Sequence, residues 1–92
     1  MTHRLHVWIA GRVQGVGFRY ATVREATARG LTGWVQNLDD GRVEAVFEGE
    51  RVLLEDMADW CRGGPGFARV TDVEVQWESG EPRYDRFGIR GW

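Results

Sequence analysis

The order in which strand-like and helix-like segments alternate along the chain is the feature that most limits its fold. Leu5, Val7 and Ile9 alternate with His6, Trp8 and Ala10, and this period of two predicts a strand over 5–10. Further strands are predicted at 31–38, 42–48 and 69–77, with a last segment, 86–91, that either extends the fourth strand or adds an edge strand. Helices are predicted at 18–29 and 51–62.

The second helix has the clearer pattern, and glycines punctuate the chain where elements should end. Its apolar residues recur at helical spacing, at Leu53, Leu54, Met57, Ala58 and Cys61. Gly30 stands where a helix commonly ends in the left-handed conformation, and the run Asp39, Asp40, Gly41 predicts a hairpin turn.

The order βαββαβ is typical of an α+β fold, the ferredoxin-like sandwich, in which an antiparallel sheet holds two helices on one face. With 92 residues, the chain fits a single domain spanning 1–92. Because this fold hosts many functions, the function has to be argued from a site.

Composition excludes several classes of function. All twelve basic residues are arginines, which rules out Schiff-base chemistry and the lysine of a nucleotide P-loop. The net charge of −2 argues against a nucleic-acid binder. Cys61 is the single cysteine, so no internal disulfide forms. We see no apolar run of membrane-spanning length and no signal-peptide core, and we therefore expect a cytoplasmic protein with no membrane partner.

A glycine-rich loop before the first helix is the best candidate binding site. Gly15 and Gly17 allow unusual backbone angles, so that successive N–H groups can converge on an anion at the start of a helix. Arg19 falls in the first helical turn, where its guanidinium can donate hydrogen bonds to two oxygens of an anion. The loop lacks the Gly-Lys-Ser/Thr of a Walker motif and the third glycine of a dinucleotide fingerprint, and a plain tight connection remains the alternative.

Other candidate residues have simpler explanations. His3 and His6 are three apart in a strand and should point to opposite faces, which makes a shared metal improbable. Asp39 and Asp40 suit the turn, and Cys61 suits a helix core.

Two motifs together resemble a known family. Residues 11–19, GRVQGVGFR, are similar to the first signature of the acylphosphatases, and residues 33–44, GWVQNLDDGRVE, are similar to the second. The resemblance continues through 60–65, WCRGGP, and 68–70, ARV, to 87–90, FGIR. It therefore spans nearly the whole chain.

This resemblance implies a ferredoxin-like fold and hydrolysis of acyl phosphates without a metal or other cofactor. It implies two catalytic residues: Arg19 binds the phosphoryl group together with the loop amides, and Asn37 positions the attacking water. The implied phosphate-binding loop consists of Gln14, Gly15, Val16, Gly17, Phe18 and Arg19. We expect a monomer whose partner is a small acyl phosphate.

The residues themselves suit that chemistry. The leaving group of an acyl phosphate is a carboxylate whose acid has a pKa of about 4–5, so no general acid is needed to protonate it. Phosphoryl transfer proceeds through a loose transition state, and catalysis consists mostly of positioning and charge stabilisation.

Two alternatives stay open at this point. A nucleic-acid-binding module on the same frame would use aromatic residues of the open sheet face, with Trp8 and Trp34 as candidates. An accessory anion-binding domain is the other, since acylphosphatase-like domains also occur within larger hydrogenase-maturation proteins. The chain begins with Met1 and ends shortly after the last predicted strand, from which we expect a free-standing enzyme.

Overall fold

Every helix and strand predicted from the sequence is present in the computed structural model, which describes residues 2–91. The elements are β1 (Thr2–Arg12), α1 (Phe18–Ala28), β2 (Thr32–Asn37), β3 (Val43–Gly49), α2 (Arg51–Gly63), β4 (Arg69–Gly80) and β5 (Phe87–Ile89). The main differences from prediction are two longer strands: β1 begins three residues earlier than the apolar alternation, and β4 continues three residues further. Across 2–91, neither helix is long and apolar enough to cross a membrane.

The five strands form one sheet in the order β4-β1-β3-β2-β5. The first four pair antiparallel, as the predicted fold requires, but β5 runs parallel to β2 and makes the sheet mixed. The register explains this: β4 ends opposite the start of β1, at Gly80 and Thr2. The chain then crosses to the other edge at that same end, so β5 must run in the direction of β1 and β2. The last predicted segment is thus an edge strand.

The core lies on one face of the sheet. In the central pair, Leu5 faces Phe47, Val7 faces Ala45, and Ile9 faces Val43, and all six side chains are fully buried. Both helices pack on this face and complete the core with Phe18, Ala26, Leu54, Met57, Ala58 and Cys61. Such burial contributes about 1.5–3 kcal/mol for each large apolar side chain.

A buried ion pair lies on the opposite face, which the sequence pattern assigns to solvent. Arg4 donates from Nε to Glu48 Oε2 at 2.8 Å, and the two residues are only 4% and 2% exposed. The second oxygen of Glu48 accepts the backbone N–H groups of Arg83 and Tyr84 at 2.9 and 3.2 Å. The pair therefore fixes the segment 81–86, which crosses this end of the sheet to reach β5.

Pairing of β1 with β3 also decides which connections meet. Ile9, near the end of β1, lies opposite Val43, the first residue of β3. The connection from β1 to α1, residues 13–17, and the turn between β2 and β3, residues 38–42, consequently lie at the same end of the sheet.

Gly33 in β2 provides a test of the sheet register. Its φ is +136°, and a Cβ at this position would overlap the carbonyl oxygen of Val46 in β3. We expect Gly33→Ala to lower the free energy of unfolding by about 3 kcal/mol, the upper end of common single-substitution effects, measured from the urea midpoint.

The neighbouring strand offers the matched control. Gly88 in β5 pairs with Trp34, beside Gly33, and a Cβ there meets no atom within 4 Å. Gly88→Ala should change stability by less than about 1 kcal/mol. Equal effects of the two substitutions would contradict the close approach of β2 to β3.

Candidate active site

The loop between β1 and α1 is held at both ends by core residues. Val13 and Phe18 are each 1% exposed, and the Phe18 ring packs against Trp60 of α2 with centroids 5.6 Å apart. Between them, Gly15 and Gly17 adopt left-handed φ values of +75° and +79°. A Cβ at either glycine would meet nothing within 4 Å, so the conformation requires glycine while the space above the loop is open.

This loop leads into a helix start that has no anionic cap of its own. Gly17 is the N-cap of α1, no side chain caps it, and the first turn contains no acidic residue. The first backbone bond of the helix is donated by Ala21 to the Gly17 carbonyl at 3.0 Å. The preceding N–H groups of the first turn have no helical acceptor, and together with the helix dipole they favour an anion at this point.

Asn37, at the end of a strand, lies on the same side of the sheet as the glycine loop and the start of α1. It is the last residue of β2 and lies two residues after the buried Val35, so both side chains are on the face of the sheet that carries the helices. Its Oδ1 atom is buried and has no hydrogen-bond partner among residues 2–91. A buried amide oxygen without a partner costs about 1–3 kcal/mol, so its presence calls for an explanation.

The loop and Asn37 enclose one pocket of about 170 Å³. Its lining consists of Val13, Gly15, Gly17, Phe18, Arg19, Tyr20 and Asn37. The structure therefore brings together Arg19 and Asn37, the two residues singled out as catalytic from the sequence. Of the six residues assigned to the phosphate-binding loop, Gln14 and Val16 do not line the pocket, and Val16 packs against the core instead.

Gln14 does not line the pocket, but its side chain connects the loop to the turn that follows Asn37. Its Nε2 donates to the carbonyl oxygens of Leu38 at 2.8 Å and Arg42 at 3.0 Å. Those carbonyls flank the turn that directly follows Asn37. Sequence reasoning missed this contact because it joins a side chain to backbone atoms 24 and 28 residues away, which leave no mark in a sequence pattern.

Charge in the pocket comes from Arg19. The lining contains no histidine, cysteine or carboxylate. Within residues 2–91, no group of three or more potential metal-ligating side chains is found. The pocket therefore offers N–H donors, a guanidinium and an amide, a set that suits an oxyanion.

The other candidates from the sequence lie elsewhere. His6 is on the open face of the sheet, bound to Glu44 at 2.7 Å, whereas His3 is on the opposite face, as its spacing predicts. Asp40 accepts hydrogen bonds from the backbone N–H and the guanidinium of Arg42 at 3.1 and 2.9 Å. The backbone bond lowers the pKa of Asp40, and its role is in the turn.

Aromatic residues of the open face are engaged with their own neighbours. Trp8 stacks on His6 with centroids 3.9 Å apart, and the Arg90 guanidinium lies 4.6 Å from the centroid of Trp34. Carboxylates also stand on this face, among them Glu44, which binds His6 and Gln36. The face thus differs from the basic, open aromatic platform of an RNA-binding sheet.

Known proteins resemble the chain over nearly its whole length. The sequence model of the acylphosphatase family matches residues 5–89. The chain is 58% identical over 89 residues to an acylphosphatase of a Nostoc species, an alignment that covers 97% of this chain and 82% of that protein. The crystal structure of acylphosphatase from Bacillus subtilis superposes with a TM-score of 0.91 at 41% identity, over 95% of this chain and 97% of that one. The crystal structure of T. kodakarensis HypF matches with a TM-score of 0.81 at 30% identity, over 96% of this chain and 12% of that one.

The burial of Cys61 can be tested, and with it the conclusion that this thiol is not a reactive group. The side chain is fully buried in α2, and burial raises the pKa of its thiol from 9.0 to about 12. The protonated thiol therefore stabilises the fold fully below about pH 9, and this contribution is lost as the pH rises toward 12. At pH 8, iodoacetamide should alkylate native Cys61 at least about 100-fold more slowly than the urea-unfolded chain, as measured by mass spectrometry. Comparable rates would show that the thiol is accessible and ionised.

Proposed function

The chain belongs to the acylphosphatase family, and from that premise we propose that it hydrolyses acyl phosphates in the pocket formed by the 13–17 loop, Arg19 and Asn37. Water attacks phosphorus, the bond between phosphorus and the carboxyl oxygen breaks, and the electron pair leaves with the carboxylate. The water protons leave with the inorganic phosphate. The observation that carries the proposal is that one pocket is lined both by the open helix start with Arg19 and by Asn37. The buried Oδ1 of that Asn37 has no hydrogen-bond partner among residues 2–91.

In this mechanism the loop and Arg19 hold the phosphoryl group. The N–H groups at the start of α1 and the Arg19 guanidinium offer donors to its oxygens. Val13 and Phe18 anchor the loop in the core. Donors that a fold holds in position before the substrate arrives stabilise the charge of the transition state without reorganising. Gly15 and Gly17 leave the space that this close approach of a phosphate needs.

Asn37 positions the water. Asn37 lines the pocket, and a side-chain amide there can hydrogen-bond a water molecule held against the phosphoryl group. The water then occupies one fixed place instead of many, and this is the kind of positioning that lowers the barrier of a displacement.

The proposed mechanism uses no general acid, no metal ion and no cofactor. The carboxylate leaves without protonation because its conjugate acid is as strong as an ordinary aspartic or glutamic acid. Arg19 and the helix terminus supply the positive charge that a metal ion would otherwise provide. EDTA is accordingly not expected to inhibit.

We place this enzyme in the cytoplasm as a monomer that binds neither nucleic acid nor membrane. The single buried thiol and the absence of basic excess support this placement.

The contrast between Arg19→Ala and Asn37→Ala tests the two assigned roles. Arg19 contacts the phosphoryl group before and during transfer, so its loss should raise KM and lower kcat together. Asn37 contacts mainly the water, so Asn37→Ala should lower kcat by roughly 10²- to 10³-fold while KM changes little. Steady-state kinetics with benzoyl phosphate measures both parameters.

Gln36→Ala is the matched control, since Gln36 precedes Asn37 in β2 but binds Glu44 on the open face. It should keep kcat within about twofold of the unsubstituted chain. A folded Asn37→Ala protein with near-normal kcat and a lowered urea midpoint would mean that Asn37 serves only the turn.

Gln14 is expected to act through Asn37. Gln14→Leu removes the two bonds to the β2–β3 turn and should lower kcat about tenfold, with a loss of about 1–3 kcal/mol in stability. In an Asn37→Ala background the same substitution should have almost no further effect on kcat, because the residue it positions is gone. A full, additive loss in the double variant would contradict this coupling.

A further inference from the structure

Tyr20 is an exposed aromatic residue in the wall of the candidate active site. It follows Arg19 in the first turn of α1 and lines the pocket, yet it is 72% exposed. A single exposed aromatic side chain is ordinary on a protein surface. Its position is what distinguishes it, because the other large exposed apolar residues of the described chain, Val52, Phe67 and Val75, do not line this pocket.

The pocket has an inner and an outer part. Val13 and Phe18, each 1% exposed, form its buried wall, and the open N–H groups of the helix start lie beside them. Tyr20 is the one large apolar side chain of the lining that remains in contact with solvent. Any group that emerges from the pocket on this side passes the Tyr20 ring.

The size of the pocket determines which part of a substrate emerges. Sites that enclose a whole small molecule measure about 300–1,000 Å³, whereas this pocket measures about 170 Å³. It is therefore large enough for a phosphoryl group and a water but too small for a substrate with a bulky acyl group. With the phosphoryl group at the helix start, the acyl group extends to the rim.

We propose that Tyr20 is the specificity-determining residue for the acyl group, and that it favours acyl phosphates whose acyl group is aromatic or a large apolar chain. This inference rests on the proposed function of the pocket. A flat or extended apolar group can pack against the Tyr20 ring and remove apolar surface from water. An acetyl group is too short to cover the ring and gains little.

The contact made by Tyr20 is the same before and during phosphoryl transfer, because the acyl group changes little at its apolar end. Such uniform binding affects KM and leaves kcat almost unchanged. Inorganic phosphate, which has no acyl group, does not reach the ring at all. Substitutions of Tyr20 and of Arg19 should therefore have different kinetic effects, although the two residues are neighbours in sequence.

The test compares kcat/KM for benzoyl phosphate and acetyl phosphate in Tyr20→Ala, Tyr20→Phe and Val52→Ala. Val52 is the control, since it is 67% exposed at the start of α2. This helix follows the end of β3 at which Gly49 pairs with His3, and that end of the sheet is opposite to the one with the loop. Tyr20→Ala should lower the benzoyl-to-acetyl ratio about five- to tenfold, through a higher KM for benzoyl phosphate. Tyr20→Phe and Val52→Ala should keep the ratio, and the inhibition constant of inorganic phosphate should stay within twofold in all three.

Each other outcome overturns the inference in a recognisable way. An equal loss on both substrates in Tyr20→Ala would assign the ring a role in supporting the loop. An unchanged ratio would mean that the acyl group leaves the pocket by another side. In both cases the unsubstituted chain still hydrolyses acyl phosphates and the proposed function stands. If it hydrolyses neither compound, the proposed function fails, and the inference fails with it.

Discussion

The register between β1 and β3 is the constraint on which both the core and the site depend. It sets Leu5 opposite Phe47 and Ile9 opposite Val43, so one face of the central strands is continuously apolar and both helices pack on it. A shift of β1 by one residue relative to β3 would turn Leu5, Val7 and Ile9 to the opposite face and bring Arg4 into the core. The same register brings the end of β1 next to the start of β3. The glycine loop and the turn after Asn37 become neighbours only because of that pairing.

The sequence predicted the helices and the first four strands, because apolar alternation and helical stripes follow directly from backbone geometry. It did not settle β5, three residues long, since so short a segment has no readable period and its parallel pairing depends on where the preceding segment crosses the sheet. Nor did it predict the buried Arg4–Glu48 pair. The two residues lie on the face away from the helices, and they are buried because the segment 81–86 is folded over them.

For the candidate site, the motifs predicted which backbone and side chains converge, while the supporting contacts came only from the structure. Glycines before a helix followed by an arginine predict an anion site by a physical argument, and the resemblance added Asn37. The tether made by Gln14 could not be predicted, since its acceptors are carbonyl oxygens of a distant turn. The exposure of Tyr20 beside the pocket depends on the direction in which α1 leaves the loop, and a weakly amphipathic helix does not specify that direction.

Rigidity at the loop follows from where its ends are anchored. Val13 and Phe18 are held in the core, Phe18 additionally by Trp60, and Gln14 fixes the loop to the turn beyond Asn37. The glycine-containing stretch between these anchors is short and borders open space at Gly15 and Gly17, so the anchors limit how far its backbone can move. In the function proposed above, an anion that enters the pocket meets donors already in position, because core packing has arranged them during folding. In a chain of 92 residues with a small core, the side chains that stabilise the fold are thus the same ones that preorganise its site.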